Sequence, residues 1–258
     1  MALGYSQVTE LAGDEISQEQ VGRIVQRYVW AAEYCSDKDV LEVACGAAPG
    51  LGYLGEKSRS FISSDIDKEI LSQAHDYYQD RYSFVCCSGQ QMPISDQSLD
   101  VIIIFEAIYY LPDPKAFFNE CNRVLRPGGK ILIVSANKDL YDFNPSPHSH
   151  IYFGVKELSE TLSNFGYQTQ FFGGTSTKTV SWKQKLFRPV KKIAVAFNLV
   201  PETMAGKKIL KKLVFGNLVP MPAEITENTS EYIHPSPISA NQPDTEYKVI
   251  YCVATKNR

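Results

Sequence analysis

Residues 40–52, which read VLEVACGAAPGLG, decide the fold. The first four are mostly apolar and β-branched, as expected for a short strand buried on both faces in a parallel sheet. Gly46, Gly50 and Gly52 follow, and glycine lets a backbone turn sharply or approach a ligand closely. Ligands of open α/β sheets bind outside the carboxyl ends of the strands. The loop after this strand is therefore a predicted ligand site.

The glycine spacing and an upstream acid indicate which ligand suits this loop. A dinucleotide site uses G-x-G-x-x-G to hold a pyrophosphate at a helix N-terminus, whereas these glycines are spaced Gly46-x-x-x-Gly50-x-Gly52. The carboxylate of Glu42, just upstream, would repel a pyrophosphate and suit an ammonium group. The alternative is a strand-to-helix turn that serves packing alone.

Composition narrows the class of protein. The chain has 258 residues, 44% apolar and 21% charged, with a formal charge of −3, which suits one soluble α/β domain with an insertion. This charge gives no global attraction to nucleic acid or to anionic membranes. The six cysteines lack zinc-ligand spacing, which favours reduced thiols in a cytoplasmic protein. We expect neither a signal peptide nor a transmembrane segment.

Strand and helix patterns alternate along the chain. Ser17 with Gln20 predicts a capping box at the start of the first helix. Further helices are predicted from Gly50 and over 68–78, 114–125 and 155–165. Further strands are predicted over 61–66, 82–87, 98–105, 131–134, 167–172 and 247–254.

Asp65 ends the second predicted strand, 23 positions after Glu42. An acid about 20 residues past a glycine loop is well placed to accept hydrogen bonds from ribose hydroxyls. We assign that role to Asp65 and assign the cap of the following helix to Asp67. The alternative is that Asp65 also serves only as a cap.

These motifs together resemble the class I S-adenosylmethionine-dependent methyltransferases of the small-molecule type. Glu42 and Gly46 match the family's E/D-x-G-x-G-x-G, with Ala44 and Ala48 replacing the outer glycines. Residues 65–67, DID, match its D-I-S/D. Residues 88–94, SGQQMPI, resemble its G-D-A-E-x-L-P-F, with Ser88 at the position of the acid that holds adenine. Residues 98–112 resemble its S-F-D-V-V segment, and residues 123–129, RVLRPGG, are the most specific string.

The resemblance implies a fold and a cofactor. The fold is a Rossmann-like, seven-stranded, mostly parallel α/β sheet with helices on both faces. The cofactor is S-adenosylmethionine, and no metal is required. The predicted cofactor contacts are Tyr28, Glu42, Ala44, Gly46, Asp65, Ile66, Ser88, Gly89, Gln90, Phe105 and Glu106. For Tyr28 the alternative is a core position in an apolar helix stripe.

The residues that contact the methyl acceptor are predicted in the loops after the fourth and fifth strands. No N/D-P-P-Y follows Phe105, which argues against an enzyme that modifies nucleic-acid bases. Glu106, Tyr109 and Tyr110 are expected to face the methyl group, with core packing as the alternative for both tyrosines. His148 and His150 are candidate general bases in a long loop. Surface positions are the alternative for both histidines. Their H-x-H spacing also suits a metal, although no third ligand is visible.

The chain divides into a predicted core, 1–174 with 246–258, and an insertion, 175–245. Residues 178–215 of the insertion are lysine-rich, and residues 205–215 have the pattern of a basic amphipathic helix. Three interpretations stay open for this largely helical insertion: a packed lid, a pocket for an anionic substrate, or peripheral contact with an anionic membrane.

The expected function is methyl transfer to a nitrogen or oxygen of a small metabolite, for example in secondary metabolism. An alternative is a methyltransferase at a membrane surface that acts on a lipid-like, quinone-like or glycan-linked acceptor. A further alternative is a fold that binds a partner without catalysis. The sequence does not indicate the oligomeric state.

Overall fold

The computed structural model describes residues 9–146, 148–178 and 218–257. Within these residues the chain forms ten strands and five helices. The strands are β1 (Glu15–Ser17), β2 (Asp39–Val43), β3 (Ser60–Asp65), β4 (Ser83–Cys86), β5 (Leu99–Phe105), β6 (Leu125–Ala136), β7 (Tyr167–Ser176), β8 (Leu218–Pro220), β9 (Ser236–Ile238) and β10 (Tyr247–Lys256). The helices are α1 (Gln18–Cys35), α2 (Leu51–Gly55), α3 (Lys68–Tyr78), α4 (Pro114–Val124) and α5 (Val155–Asn164).

The main sheet has the strand order β4-β3-β2-β5-β6-β10-β7-β9. Neighbouring strands from β4 to β6 are parallel, whereas β10 is antiparallel to both β6 and β7. The strand order reverses between β2 and β5, which leaves a crevice at their carboxyl ends. The predicted mostly parallel α/β fold is confirmed.

Helices cover both faces of the main sheet, as predicted. Apolar residues of α1, α2 and α3 pack with Val40, Val101 and Ile103 in one buried cluster. Those of α4 and α5 pack with Leu41 and Ile102 in the other. Successive strand residues point to opposite faces, so both faces of β2 and β5 are apolar and buried.

Helix starts follow the predicted capping chemistry. Ser17 accepts a hydrogen bond from the backbone N–H of Gln20, and the Gln20 side chain accepts one from Ser17, which completes the capping box. Asp67 caps α3, and Asp113 caps α4 ahead of Pro114. The predicted capping box at Ser17 and the predicted cap at Asp67 are confirmed.

Strand β6 begins earlier than predicted. The sequence predicts a strand from Ile131 after a glycine stop, but α4 ends at Val124 and β6 starts at Leu125. Leu125 pairs with Leu99, and the register then shifts so that Val101 pairs with Lys130. Gly128 and Gly129 therefore lie within an irregular part of β6 and do not separate the helix from the strand.

The described residues of the predicted insertion form short strands, whereas the prediction was a largely helical insertion. Strand β8 pairs with β1, and β9 joins the edge of the main sheet, which consequently has eight strands where seven were predicted. The predicted basic amphipathic helix and nearly all of the basic 178–215 segment lie outside the described residues. None of the helices in the described ranges is both long and apolar enough to cross a bilayer.

Candidate active site

A cavity of about 190 Å³ lies at the carboxyl ends of β2, β3, β4 and β5. It therefore occupies the crevice where the strand order reverses. The residues predicted to contact the cofactor all line it: Tyr28, Glu42, Ala44, Gly46, Asp65, Ile66, Ser88, Gly89, Gln90, Phe105 and Glu106.

The loop after β2 has the backbone of a glycine loop despite its alanines. Ala44, Gly46 and Ala48 have φ values of 55°, 55° and 51°, in the left-handed region that glycine favours. Ala44 and Ala48 thus adopt the conformation expected of the glycines they replace. Gly50 is required for a different reason, because a Cβ there would lie 2.1 Å from a ring carbon of Tyr28.

Glu42 is a buried acid with one unpartnered oxygen. Its side chain is 1% exposed, and Oε1 accepts a 2.7 Å hydrogen bond from the hydroxyl of Tyr28. Oε2 has no hydrogen-bond partner among the described residues. Burial raises the pKa of Glu42 to about 7, and this rise is opposed by the Tyr28 hydrogen bond and the positive charge of Arg27. A cationic group bound in the cavity would pair with Oε2 and favour the ionised form.

Asp65 is held at the tip of β3 by the backbone on both sides. It is 7% exposed, and its two oxygens accept hydrogen bonds from the N–H groups of Gly46 at 2.9 Å and Asp67 at 2.8 Å. Each carboxylate oxygen keeps capacity for another hydrogen bond. Asp67 caps α3 through the N–H groups of Glu69 and Ile70. The two acids thus have separate positions, as predicted, and the ribose role of Asp65 stays a prediction.

The loop after β4 approaches β2 closely. A Cβ at Gly89 would lie 2.7 Å from Cγ1 of Val43, so this close approach requires glycine. Ser88 accepts a 3.2 Å hydrogen bond from the N–H of Gln90 and thereby stabilises its own loop. Ile66 is 57% exposed at the cavity. Its side chain gives the cavity an apolar surface suited to a flat ring.

Glu106 lies on the acceptor side of the cavity, immediately after β5. Its φ is 51°, and its Oε2 accepts a 3.1 Å hydrogen bond from the hydroxyl of Tyr109. Burial raises the pKa of Glu106, opposed by the charge of Arg27 and by the Tyr109 hydrogen bond. Tyr109 does not line the cavity but is buried in a stack with Tyr152, with ring centroids 4.2 Å apart. Its hydroxyl consequently orients the Glu106 carboxylate from outside the cavity lining.

The structure does not bring His148 or His150 to the cavity. Both are exposed, and neither belongs to the lining. The backbone N–H of His150 donates a 2.7 Å hydrogen bond to the carbonyl of Tyr109, and Ser146 lies 2.6 Å from the hydroxyl of Tyr110. These contacts hold the loop against the tyrosines, with both imidazoles outside the cavity lining. No group of three or more candidate metal ligands occurs in the described parts of the chain.

The lining also includes residues that the sequence did not predict as site residues, among them Thr9, Glu10, Arg27 and Met221. Arg27 is half-buried, and its Nε has no hydrogen-bond partner among the described residues. Its charge lowers the pKa of both Glu42 and Glu106, which places it near both acids. The available signal was its position beside the apolar stripe of the first helix. Thr9, Glu10 and Met221 lie outside every motif and carried no signal.

The lining fits S-adenosylmethionine. Within the part of the chain that the structure describes, a carboxylate oxygen of Glu42 and the guanidinium Nε–H of Arg27 lack hydrogen-bond partners. Such a pair of opposite charges suits the ammonium and carboxylate groups of an amino acid. Asp65 adds acceptors for ribose, and Ile66 adds the apolar surface.

Comparison with known proteins agrees with this site. Residues 41–133 match a family described as a methyltransferase domain. A probable S-adenosylmethionine-dependent methyltransferase of Mycolicibacterium smegmatis is 30% identical over 147 residues, which are 55% of this chain and 57% of that protein. The chain therefore spans about half the length of the curated relatives it matches.

Solved structures share the fold. A putative methyltransferase from Bacillus halodurans has a TM-score of 0.58 at 17% identity, covering 92% of this chain and 100% of its own. Phosphoethanolamine N-methyltransferase 2 of Haemonchus contortus, in complex with S-adenosylmethionine, has a TM-score of 0.57 at 12% identity, covering 90% of this chain and 52% of its own. The motifs, the sheet and these matches agree: residues 41–133 carry a methyltransferase domain similar to that of S-adenosylmethionine-dependent methyltransferases.

Proposed function

We propose that this protein transfers a methyl group from S-adenosylmethionine to a nitrogen or oxygen of a small metabolite. The observation that carries the proposal is the unpartnered Oε2 of Glu42 in a cavity that Arg27 and Asp65 also line. A buried carboxylate oxygen without a partner is costly. A cationic ligand removes that cost.

Three groups of residues would hold the cofactor. Glu42 would bind its ammonium and Arg27 its carboxylate, since charge-assisted hydrogen bonds are the stronger kind. Asp65 would accept from the ribose hydroxyls. Ile66 and residues 88–90 would contact the adenine, with the backbone compensating for the missing acid at Ser88.

The cofactor supplies a methyl group bonded to a positively charged sulfur. The protein's main task is to align the acceptor with that methyl group, and orientation of this kind lowers a barrier by roughly 7–11 kcal/mol. Glu106 would take a proton from an acceptor hydroxyl, and its raised pKa makes it a stronger base than an ordinary glutamate. A neutral amine needs no such base.

Calorimetric titration with S-adenosylmethionine and S-adenosylhomocysteine tests the cofactor assignment, and NAD⁺ is the matched nucleotide control. We expect the two sulfur compounds to bind and NAD⁺ not to bind, because Glu42 repels a pyrophosphate. Tight binding of NAD⁺ alone would contradict the proposal. Release of S-adenosylhomocysteine across a panel of amines, alcohols and phenols then identifies the acceptor. Binding without turnover of any acceptor would favour the binding-only alternative.

The membrane-surface alternative depends on the basic 178–215 segment. Sedimentation with anionic and with neutral vesicles separates it from a small-molecule enzyme: only the alternative predicts that the protein sediments with the anionic vesicles.

The cytoplasm is the proposed location of the protein, supported by six free cysteines. The division into a core and an inserted 175–245 region is likewise a proposal.

A further inference from the structure

Two segments far apart in the sequence are joined beside the cavity. We call them the clamp: residues 9–17, which precede the first helix, and residues 218–225, which return from the predicted insertion. Strands β1 and β8 pair in it as a separate two-stranded sheet. Met221 extends this pairing, since its carbonyl accepts from the N–H of Gly13 and its own N–H donates to the carbonyl of Asp14, each at 2.8 Å.

The clamp supplies part of the cavity wall. Thr9, Glu10 and Met221 all line the cavity, and Met221 is only 3% exposed. The side chain of Thr9 lies over the glycine loop, because a Cβ at Gly46 would be 3.0 Å from its Cγ2. Both segments of the clamp therefore contribute to the site.

The clamp is also anchored to the elements that form the glycine loop. The N–H of Ile225 donates to the carbonyl of Pro49 at 2.8 Å. The side chain of Glu224 lies so close to Gly52 that a Cβ there would be 1.5 Å from its Oε1. Glu224 also accepts a 3.4 Å hydrogen bond from Arg81, and Glu10 accepts one of 2.6 Å from Gln20 of α1.

We propose that the clamp forms the outer wall of the cofactor site and must open for the cofactor to enter or leave. This inference rests on the proposed function. A two-stranded sheet with three paired residues per strand is marginally stable alone, so it can open without disturbing the main sheet. Cofactor contacts with Thr9 and Met221 exist only in the closed state, and a ligand stabilises the state to which it binds better.

A reversible cross-link tests the opening. Glu15 and Pro220 lie opposite each other in the register of β1 and β8, and both are exposed. The double variant Glu15→Cys with Pro220→Cys, in a Cys86→Ser background, is compared oxidised and reduced by stopped-flow binding of S-adenosylhomocysteine. We expect association and dissociation each to slow by about tenfold or more on oxidation and to recover with reductant. The two single-cysteine variants, treated in the same way, control for oxidation elsewhere.

The outcomes separate the two proposals. Equal exchange rates in the oxidised and reduced double variant would overturn the clamp, provided that mass spectrometry shows the disulfide. If the wild-type protein binds no S-adenosylhomocysteine, the cofactor assignment fails and the clamp proposal fails with it. Binding by the wild type with no effect of the cross-link leaves the proposed function intact.

The wall role of Met221 has its own test. Met221→Ala is compared with Leu71→Ala, because Leu71 belongs to the same buried cluster but lies in α3, outside both the clamp and the cavity lining. We expect both variants to lower the melting temperature, but only Met221→Ala to speed dissociation of S-adenosylhomocysteine several-fold. Equal effects of both variants would overturn a direct contact at Met221.

Discussion

The cofactor half and the acceptor half of the carboxyl edge hold their acids by different means. In the cofactor half, at the tips of β2, β3 and β4, Asp65 is fixed by backbone N–H groups of two neighbouring loops. In the acceptor half, at the tip of β5 and in residues 137–154, Glu106 is oriented by Tyr109, which itself packs against Tyr152. The position of the Asp65 carboxylate therefore depends on backbone hydrogen bonds, whereas the position of the Glu106 carboxylate depends on contacts between side chains that are distant in the sequence.

The two halves also differ in what they leave unsatisfied. Glu42 and Arg27 each have a polar atom with no hydrogen-bond partner in the described ranges, whereas the Oε2 of Glu106 already accepts a hydrogen bond. Unpaired buried groups are costly in the free protein. Under the proposed function, the cofactor half would therefore suit a charged ligand and the acceptor half would suit proton transfer.

The largest expected effect separates Glu106 from the two histidines as candidate bases of the acceptor half. For a hydroxyl acceptor, Glu106→Gln removes a base at the cavity and should lower kcat by about 100-fold or more. His148→Ala and His150→Ala are matched controls, because both side chains are exposed outside the lining, and we expect changes below about twofold. Release of S-adenosylhomocysteine measures all three. A large loss in either histidine variant would instead support the histidine prediction.

The next effect tests the cofactor half. Asp65→Ala should weaken S-adenosylhomocysteine binding by about 100-fold, since hydrogen bonds to a charged group contribute about 1.5–3 kcal/mol each. Asp67→Ala is the matched control: it loses the cap of α3 and about 1 kcal/mol of stability but should keep affinity. Calorimetry and thermal unfolding distinguish them. Unchanged affinity in Asp65→Ala would remove the ribose assignment.

The cofactor half could be predicted because its signals are local. A strand, a glycine-type loop and a following acid occur within residues 40–65, and the backbone alone brings Glu42, Gly46 and Asp65 together. The alanines did not obscure this, since Ala44 and Ala48 adopt the left-handed backbone of the glycines they replace. The sheet, both helical layers and the caps were predictable for the same reason.

The acceptor half and the clamp could not be predicted because their contacts join distant segments. The side-chain directions of His148 and His150 depend on how residues 137–150 pack against Tyr109 and Tyr110. Met221 reaches the cavity through pairing of β8 with β1, about 200 residues away. Arg27 could be seen as a helical residue, but only the fold shows that its Nε lacks a hydrogen-bond partner among the described residues.

A smaller effect tests the charge pairing across the cofactor half. Arg27→Met should weaken S-adenosylhomocysteine binding by roughly 10- to 100-fold. It should leave binding of methylthioadenosine, which lacks the amino-acid end, unchanged. Arg23→Met, one helical turn earlier and paired with Glu19, is the control. Equal losses for both ligands would show that Arg27 supports the site without contacting a carboxylate.

The pH dependence of binding tests Glu42. Burial raises its pKa to about 7, so the free protein has a largely neutral Glu42 at pH 6 and a largely ionised one at pH 8. Pairing with a ligand ammonium requires the ionised form. We expect S-adenosylhomocysteine affinity to rise by up to about tenfold between these pH values and this rise to vanish in Glu42→Gln. An identical pH profile in the variant would contradict the assignment.

The same pKa affects the stability of the free protein. Because the folded-state pKa of about 7 lies above the ordinary 4.5, the folded protein holds a proton that the unfolded chain has lost. This group therefore lowers the free energy of unfolding as pH rises from 4.5 to 7, and the penalty is constant above that. Glu42→Gln should stabilise the free protein at pH 8 by about 1–3 kcal/mol, measured by urea unfolding. A destabilised variant would show that Glu42 is ionised and paired in the free fold.

The smallest effect concerns the loop that the two halves share at β2. Ala44 has a φ of 55°, and an L-residue there costs roughly 1–2 kcal/mol. Ala44→Gly removes this strain but gives the unfolded chain more freedom, so we expect a net stabilisation of up to about 1 kcal/mol. Ala47→Gly, equally half-buried but outside the left-handed region, gains freedom without relieving strain and should destabilise by about 0.5–1 kcal/mol. Opposite signs in urea unfolding would confirm that the loop has kept the glycine conformation. A loss of stability in both variants would indicate that the Ala44 methyl group contributes packing that outweighs its strain.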